Sequence, residues 1–219
     1  MEKIEFSKRQ LEIIQAAIEL LDEKGYNELS LRDIAKKLDV KAPAIYWHFK
    51  SKALLVDYIA EYLLQQTLGN LKIRQNDEKW QDWLKENILE LRNAMLSVRD
   101  GGRIITGAHF YPAVTLAYLI EYCLVSLRSA GISNKSSRTI VMTAIHYTFG
   151  HVIEEQSGTD TLDSDIPTDS FFIFGSLPNL IEISDPTITE NTLSNENEFL
   201  CGLQLILDGA KSIISNQKN

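Results

Sequence analysis

Three hydrogen-bond donors, Tyr46, His48 and Lys52, lie close together in the sequence, and each can donate to a phosphate oxygen. Two further cations precede them: Lys41, and Arg32, which could reach a guanine edge or a phosphate. Small side chains in this stretch would let a helix approach base edges closely, and they belong to Ala42, Pro43 and Ala44. Donors and cations grouped around small residues are typical of a surface that contacts DNA.

The overall charge of −8 argues against nucleic acid, because phosphate binding requires cations. The distribution of charge reverses that inference, since residues 30–52 carry six basic groups against two acidic ones, whereas residues 53–219 carry 12 basic and 21 acidic groups. The basic residues of the first range are Arg32, Lys36, Lys37, Lys41, Lys50 and Lys52. For Lys36 and Lys37, a solvated helix face and direct DNA contact are both open interpretations.

Histidines and carboxylates in the rest of the chain raise an alternative function. His151 and Glu155 are four residues apart and could share a metal on one helix face, although a hydrogen bond or ion pair between them is the commoner outcome. A helical enzyme or metal-binding bundle would have as its polar centre His109, His146, His151, Glu154 and Glu155. This alternative lacks a nucleophile paired with a base and a repeated Glu-x-x-His pattern. A third alternative is a ligand carrier that does not bind DNA.

The two cysteines, Cys123 and Cys201, lie in apolar helical patterns without CxxC spacing. We therefore expect both to be small buried hydrophobes with no redox or metal role. No stretch approaches the roughly 18 apolar residues that a membrane span needs, and the N-terminal residues lack the apolar core of a signal peptide. The sequence predicts a cytoplasmic protein with no membrane partner.

The donors must be positioned by short helices. Apolar residues at helical spacing predict a first helix from Ser7 to a stop at Gly25, and Ser30 is a suitable N-cap for a second. Asp39-Val40 breaks the second helix, and Lys41-Ala42-Pro43 opens a third with proline in its first turn. Two short helices joined by a tight turn suit a helix-turn-helix, in which the second helix enters the major groove.

Longer helical patterns follow. A connecting helix is expected at about 51–68, and a polar hinge at 70–79. Further helices, apolar on a wide face as in a bundle, are predicted at 80–99, 112–130, 135–156 and 198–215. Between the last two we expect a mobile acidic loop at about 157–170, a short apolar piece at 171–183 and a polar loop at 184–197.

The residues from Leu29 to Val40, followed by Ala-Pro-Ala-Ile-Tyr-Trp-His-Phe-Lys-Ser-Lys over 42–52, resemble the tetracycline repressor (TetR) family. The likeness extends into the C-terminal part through Trp80-Gln81-Asp82-Trp83-Leu84, Arg99-Asp100-Gly101, and the segments 150–156 and 199–203. The resemblance implies that Tyr46, His48 and Lys52 touch DNA and that Ile45 and Phe49 face the core of the small domain. We expect Trp47 to be structural.

The resemblance also implies an effector pocket in the C-terminal part. Tetracycline-binding members hold a magnesium ion with the drug, partly through a histidine whose position here is Ile105, and a nearby threonine position is Ala108. A hydrocarbon cannot coordinate metal, so a divalent metal bound with the effector is not expected. Glu154 matches a glutamate that the partner subunit contributes, Asn87 a drug-binding asparagine, and Leu91 a phenylalanine position.

His109, four residues beyond Ile105, could supply an imidazole from a shifted position, but we expect a polar pocket or surface residue. Apolar and aromatic side chains could line a cavity for an apolar or aromatic effector, or could simply fill a solid bundle. They are Leu91, Ile104, Ile105, Phe110, Tyr111, Tyr147 and Phe149.

We therefore expect an all-α protein, with an N-terminal three-helix helix-turn-helix domain over residues 1–50 and a larger helical-bundle ligand-binding and dimerisation domain over 51–219. The expected function is a ligand-responsive transcriptional repressor that is not an enzyme and that leaves its operator when a small molecule binds the second domain. A homodimer through the helices at 135–156 and 198–215 would present two recognition helices to double-stranded palindromic DNA. No cofactor is required beyond the inducer, whose identity the residues leave open together with the operator and the regulated gene.

Overall fold

The computed structural model of the chain describes residues 1–157 and 194–217, and within these residues every regular element is a helix. The helices are α1 Lys8–Lys24, α2 Leu31–Lys37, α3 Ala42–His48, α4 Lys52–Leu68, α5 Trp80–Leu96, α6 Gly101–Thr106, α7 Val114–Ser129, α8 Asn134–Ser157 and α9 Asn195–Gln217. The expected all-α class, with a helix-turn-helix followed by a helical C-terminal part, is confirmed. We call α1–α3 the head and α4–α9 the body.

Local chemistry accounts for the helix boundaries of the head. The Ser7 and Ser30 side chains accept the main-chain N–H of Gln10 and Asp33, which satisfies donors that a helix N-terminus leaves free. Gly25 ends α1 with φ +80°, a conformation that side chains rarely adopt. The expected cap at Ser30 and stop at Gly25 are confirmed.

The turn between α2 and α3 fixes the angle at which α3 leaves the head. Asp39 has φ 51°, so the chain reverses there in the left-handed region. The main-chain N–H of Val40 then donates to the Ala35 carbonyl at 2.9 Å, which closes the end of α2. This turn allows α3 to start at once and to pack against α2.

The body is built around α4, which packs against α5, α6 and α7, while α8 packs against α5, α6, α7 and α9. The contact between α8 and α9 is aromatic, since Phe199 stacks on Tyr147 with ring centroids 5.2 Å apart. Gly202 permits this approach, because a Cβ there would lie 2.1 Å from the Tyr147 hydroxyl oxygen. None of the described helices is long and apolar enough to cross a membrane.

Several predicted helix boundaries differ from the structure. The helix predicted at 80–99 ends at Leu96, and the six-residue α6 that follows was not predicted. Asp100 takes φ 58°, which interrupts the helix, and a Cβ at Gly101 would lie 2.2 Å from the Met95 carbonyl oxygen. The helices predicted at 112–130 and 198–215 begin instead at Val114 and Asn195. The loop and apolar piece predicted between Ser157 and residue 194 lie outside the described residues.

The cysteines differ from each other. Cys123 is fully buried as expected, and burial raises the pKa of its thiol to about 12. The expectation that Cys201 is buried was wrong, because this residue is exposed. On α9 the residues that pack on the body are Phe199, Leu203, Leu207 and Ala210, and Cys201 lies between two of these rather than in line with them.

Candidate nucleic-acid interface and effector site

The recognition helix α3 is anchored by one face and free on the other. Ile45 and Phe49, four residues apart, are both fully buried, which confirms the expectation that they face the core of the head. Tyr46 and Trp47 point the other way and are 46% and 85% exposed. The interpretation of Trp47 as structural was therefore wrong. A residue two positions after Ile45 lies about 200° around a helix, on its opposite side.

The first turn of α3 is largely exposed and carries small side chains. Lys41, Pro43 and Ala44 are exposed, whereas Ala42 is half-buried against the core of the head and His48 is half-buried in the last turn. Lys41 is the N-cap residue and makes no side-chain cap hydrogen bond. This geometry leaves small side chains where a helix would approach base edges.

The cations of α2 have different surroundings. The Lys37 ammonium forms ion pairs at 2.9 Å with both Glu19 and Glu23 of α1, and hydrogen bonds to these carboxylates raise the pKa of Lys37. Lys37 is thus engaged within the head. Arg32 and Lys36 are exposed on the same helix.

Lys52, at the start of α4, is held by the turn between α1 and α2. Its ammonium donates to the Tyr26 carbonyl at 2.6 Å and lies 4.6 Å from the centroid of the Tyr26 ring. Burial lowers the pKa of Lys52, and the nearby charge of Arg103 lowers it further. Lys52 therefore has a structural role that the sequence did not predict.

The same turn is bound by the body, in a contact we call the head–body latch. The Asp100 carboxylate accepts the main-chain N–H of Tyr26 at 2.6 Å, and the Asp22 carboxylate accepts that of Arg99 at 3.1 Å. The Arg103 guanidinium lies 4.1 Å from the Tyr26 ring centroid. The latch therefore joins the head to the N-terminus of α6. The sequence offered only the Arg99-Asp100-Gly101 match as a signal for it.

The expected effector residues lie in separate environments. Leu91 on α5 and Ile105 on α6 are fully buried, on helices that pack together, and Ala108 is half-buried beyond α6. His109 has a side chain that is 76% exposed, with its Nδ1 3.1 Å from the Asp57 carboxylate of α4. The structure thus brings the α5 and α6 residues into one core but leaves His109 at its edge.

The two α8 residues of the expected pocket, Tyr147 and Glu154, also differ in burial. Tyr147 is half-buried, and its hydroxyl donates to the Phe199 carbonyl at 3.2 Å. Glu154 is exposed. Its implied role in a pocket of the partner subunit stays a prediction.

A cavity of about 280 Å³ lies between the end of α4, the segment after it and α5. Asn87 lines it, with its amide nitrogen donating to the Trp83 carbonyl at 2.7 Å, so its side-chain oxygen stays available as an acceptor. Other lining residues are Thr67, Asn70, Trp83, Glu86 and Glu90. The cavity is more polar than the apolar one considered above. Phe110 and Tyr111 of that set are 59% and 76% exposed.

A buried ion pair ties α5 to α8. Both carboxylate oxygens of Glu155 accept from one guanidinium nitrogen of Arg92, at 3.0 and 2.7 Å, and the Arg92 side chain is only 6% exposed. His151 Nδ1 lies 3.7 Å from the same carboxylate, beyond hydrogen-bond distance. The Phe199 ring contacts both His151 and Arg92. The polar centre of α8 therefore serves packing between helices.

The positions that the resemblance implies for magnesium do not fit a metal here. Ile105 is fully buried and Ala108 half-buried, and neither side chain carries a ligand atom. Over residues 1–157 and 194–217, no group of three His, Cys, Asp or Glu side chains could hold a metal ion.

Comparison with known proteins gives a consistent result over head and body. A family model described as "Bacterial regulatory proteins, tetR family" matches residues 13–59, and one described as "Tetracyclin repressor-like, C-terminal domain" matches residues 74–214. The class A tetracycline repressor from transposon 1721 of Escherichia coli is 36% identical over 146 residues. That alignment spans 67% of this chain and 66% of the relative, just under two thirds of its length.

Longer alignments extend the similarity over both the head and the body. The class D tetracycline repressor of Escherichia coli is 30% identical over 198 residues, which are 90% of this chain and 86% of the relative. A solved structure of TetR(class A) in complex with 5a,6-anhydrotetracycline and magnesium matches with a TM-score of 0.67 and 28% identity. That match covers 91% of this chain and 96% of the other.

Proposed function

Since the chain belongs to the tetR family of bacterial regulatory proteins, we propose that it is a homodimeric transcriptional repressor that leaves its operator when a small molecule binds the body. It acts in the cytoplasm by binding rather than by catalysis. The observation that carries this proposal is α3, anchored through Ile45 and Phe49 with its opposite face open to solvent. That is the arrangement a major-groove recognition helix requires.

The DNA surface consists of the first turn of α3 and the donors around it. Small residues at Ala42, Pro43 and Ala44 allow close approach to base edges, and Tyr46 and His48 donate to phosphates. Arg32 and Lys41 supply charge on either side. Lys52 keeps this role in part, because an ammonium has three N–H donors and the Tyr26 and Asn27 carbonyls take two of them.

The dimer forms through α8 and α9, which correspond to the helices expected at 135–156 and 198–215. Apolar side chains are exposed on these helices at Ile153, Leu205 and Ile213. A Cβ at Gly150 or Gly209 would meet nothing within 4 Å in the same chain, so a second subunit can approach closely there. A two-fold dimer would place its recognition helices about 34–36 Å apart on a palindromic site.

Arg32 and Lys37 of α2 offer a matched pair for testing the DNA surface. Arg32→Ala should weaken operator binding about tenfold and reduce the salt dependence by about one counterion, because it removes a contact to DNA. Lys37→Ala should change binding less than about twofold, since Glu19 and Glu23 already engage that ammonium. Fluorescence anisotropy over a salt series measures both. Equal losses in the two variants would contradict the proposed surface.

The effector acts through the body and the head–body latch. Ile105 lies in the expected pocket on α6, and the residues that hold the head, Asp100 and Arg103, lie at or next to the N-terminus of the same short helix. A ligand that prefers a different position of α6 must therefore also prefer a different position of the head. Linkage then lowers DNA affinity, typically by about 1–3 kcal/mol.

We further propose that the effector binds without a divalent metal at Ile105 and Ala108. A compound that releases the protein from its operator should act equally well in excess EDTA, because neither position can coordinate metal. A panel of aromatic drugs that begins with anhydrotetracycline supplies the probes, and the class A relative, solved with magnesium, is the comparison. Release that is lost in EDTA and restored by magnesium would show this assignment to be wrong.

A reporter gene behind the DNA upstream of the protein's own gene tests the function in cells. Expression of the protein should reduce the reporter signal, and one compound of the panel should restore it. A signal that rises when the protein is expressed would identify an activator instead. A signal unaffected by expression at that DNA and at other candidate operators would contradict repression.

A further inference from the structure

Two buried carboxylates on α4 are not among the residues expected for the DNA surface or the effector pocket. Asp57 is 7% exposed and Glu61 is fully buried, one helical turn apart on the same side of α4. Like charges at this spacing repel each other, and burying a carboxylate is costly unless its oxygens accept hydrogen bonds. As buried residues of the connecting helix, both carboxylates therefore need specific hydrogen-bond donors.

Asp57 accepts a main-chain N–H from the segment that joins α6 to α7, and Glu61 accepts one from the first turn of α7. The Asp57 carboxylate accepts the His109 N–H at 3.1 Å and also lies 3.1 Å from the His109 ring nitrogen. The Glu61 carboxylate accepts the Thr115 N–H at 2.9 Å and the Thr115 hydroxyl at 2.8 Å. Thr115 lies in the first turn of α7, where main-chain donors have no partner within the helix.

The Glu61 contact continues to the N-terminus of the chain. The Gln65 side-chain amide donates to the Glu61 carboxylate at 2.7 Å and to the Ile4 carbonyl at 3.1 Å. One unbroken set of hydrogen bonds thus runs from the segment before α1, through α4, to the first turn of α7. Hydrogen bonds have directional requirements that apolar packing lacks, so this set fixes the rotation and tilt of α4.

We propose that Asp57 and Glu61 are positioning residues that set the orientation of α4, and hence of the head, relative to the body. They act through hydrogen-bond acceptance and touch neither DNA nor effector. The consequence for operator binding rests on the proposed function, whereas the consequence for head orientation does not. Loss of either acceptor lets α4 sample more orientations, which broadens the position of the head.

A distance measurement within one chain tests this directly. Gln15 on α1 and Asn93 on α5 are exposed, and cysteines placed there can carry spin labels in a Cys201→Ser background. Cys123 stays unlabelled, because it is fully buried. Labelled chains diluted into excess unlabelled protein give the head–body distance by pulsed electron paramagnetic resonance, whether or not the chain dimerises.

Asp57→Ala and Glu61→Ala should each broaden the distance distribution about twofold. Operator binding should weaken about fivefold, because a smaller share of the chains holds the head in the orientation that binds DNA. Asp57→Asn and Glu61→Gln, which keep one of the two acceptor oxygens, should broaden the distribution less than the alanine variants do. Gln66→Ala, at an exposed position of the same helix, should match the wild type.

Folded alanine variants with the wild-type distance distribution would overturn the proposal, as would amide variants as broad as the alanine ones. If Glu61→Ala does not fold, the test rests on Asp57→Ala. That variant should fold, because the histidine partner of Asp57 is at the surface. If the alanine variants broaden the distance distribution but no protein binds the operator, not even the wild type, the positioning role is upheld and the proposed function is refuted.

Discussion

Replacing Tyr46 and His48 together with alanine should weaken operator binding about 100-fold while leaving the unfolding midpoint in urea nearly unchanged. A hydrogen bond to a charged phosphate contributes about 1.5–3 kcal/mol, so each lost donor costs tenfold or more in affinity. Stability should change little, because Tyr46 is 46% exposed and His48 is only half-buried. Anisotropy with labelled operator DNA and urea unfolding measure the two quantities.

Ile45→Ala is the matched control on the same helix. Its side chain is fully buried, so its truncation should lower the free energy of unfolding by about 2–5 kcal/mol. Operator binding would fall there because α3 loses its anchor. A Tyr46/His48 variant that loses stability in the same way, or that binds operator as tightly as the wild type, would contradict the assignment of the outer face of α3 to DNA.

Glu155→Ala should lower the free energy of unfolding by about 3–5 kcal/mol. The change leaves the Arg92 guanidinium, whose side chain is 6% exposed, without the carboxylate that accepts two contacts from it. A buried charge without its partner costs more than the pair contributes. Urea unfolding monitored by circular dichroism measures the loss.

Glu154→Ala provides the control, since the neighbouring carboxylate is exposed and its loss should change stability by less than about 0.5 kcal/mol. The double change Arg92→Met and Glu155→Leu should recover most of the stability, because it removes both charges. A loss of less than about 1 kcal/mol for Glu155→Ala would show that Arg92 finds solvent or another acceptor.

The elements that the sequence predicted well depend on local chemistry. The serine cap at Ser30, the glycine stop at Gly25 and proline in the first turn of α3 are visible in a few adjacent residues. The short α6 was not predicted, because six residues are too few to show helical periodicity. Its start depends on the left-handed Asp100. Trp47 and Cys201 were misplaced because apolar residue types were taken as buried without regard to the side of the helix.

The candidate sites show the same difference between features that a few adjacent residues reveal and features that depend on distant contacts. The outward row of α3 could be predicted from one stretch of sequence, because a single helix carries it. The head–body latch and the α4 carboxylates join residues 74, 52 and 54 positions apart, so no local pattern contains them. Phe110 and Tyr111 were considered as the lining of an apolar cavity or the filling of a solid bundle, yet both are exposed.

The central claim is that the chain is a repressor that binds DNA through phosphate contacts and leaves it when a ligand binds. Fluorescence anisotropy of purified protein with its own upstream DNA, at two salt concentrations and then with the compound panel, tests this most directly. We predict tight binding at low salt, weaker binding at high salt because counterions are released, and release by one class of compound. Failure to bind that DNA or any other duplex at low salt would contradict the account.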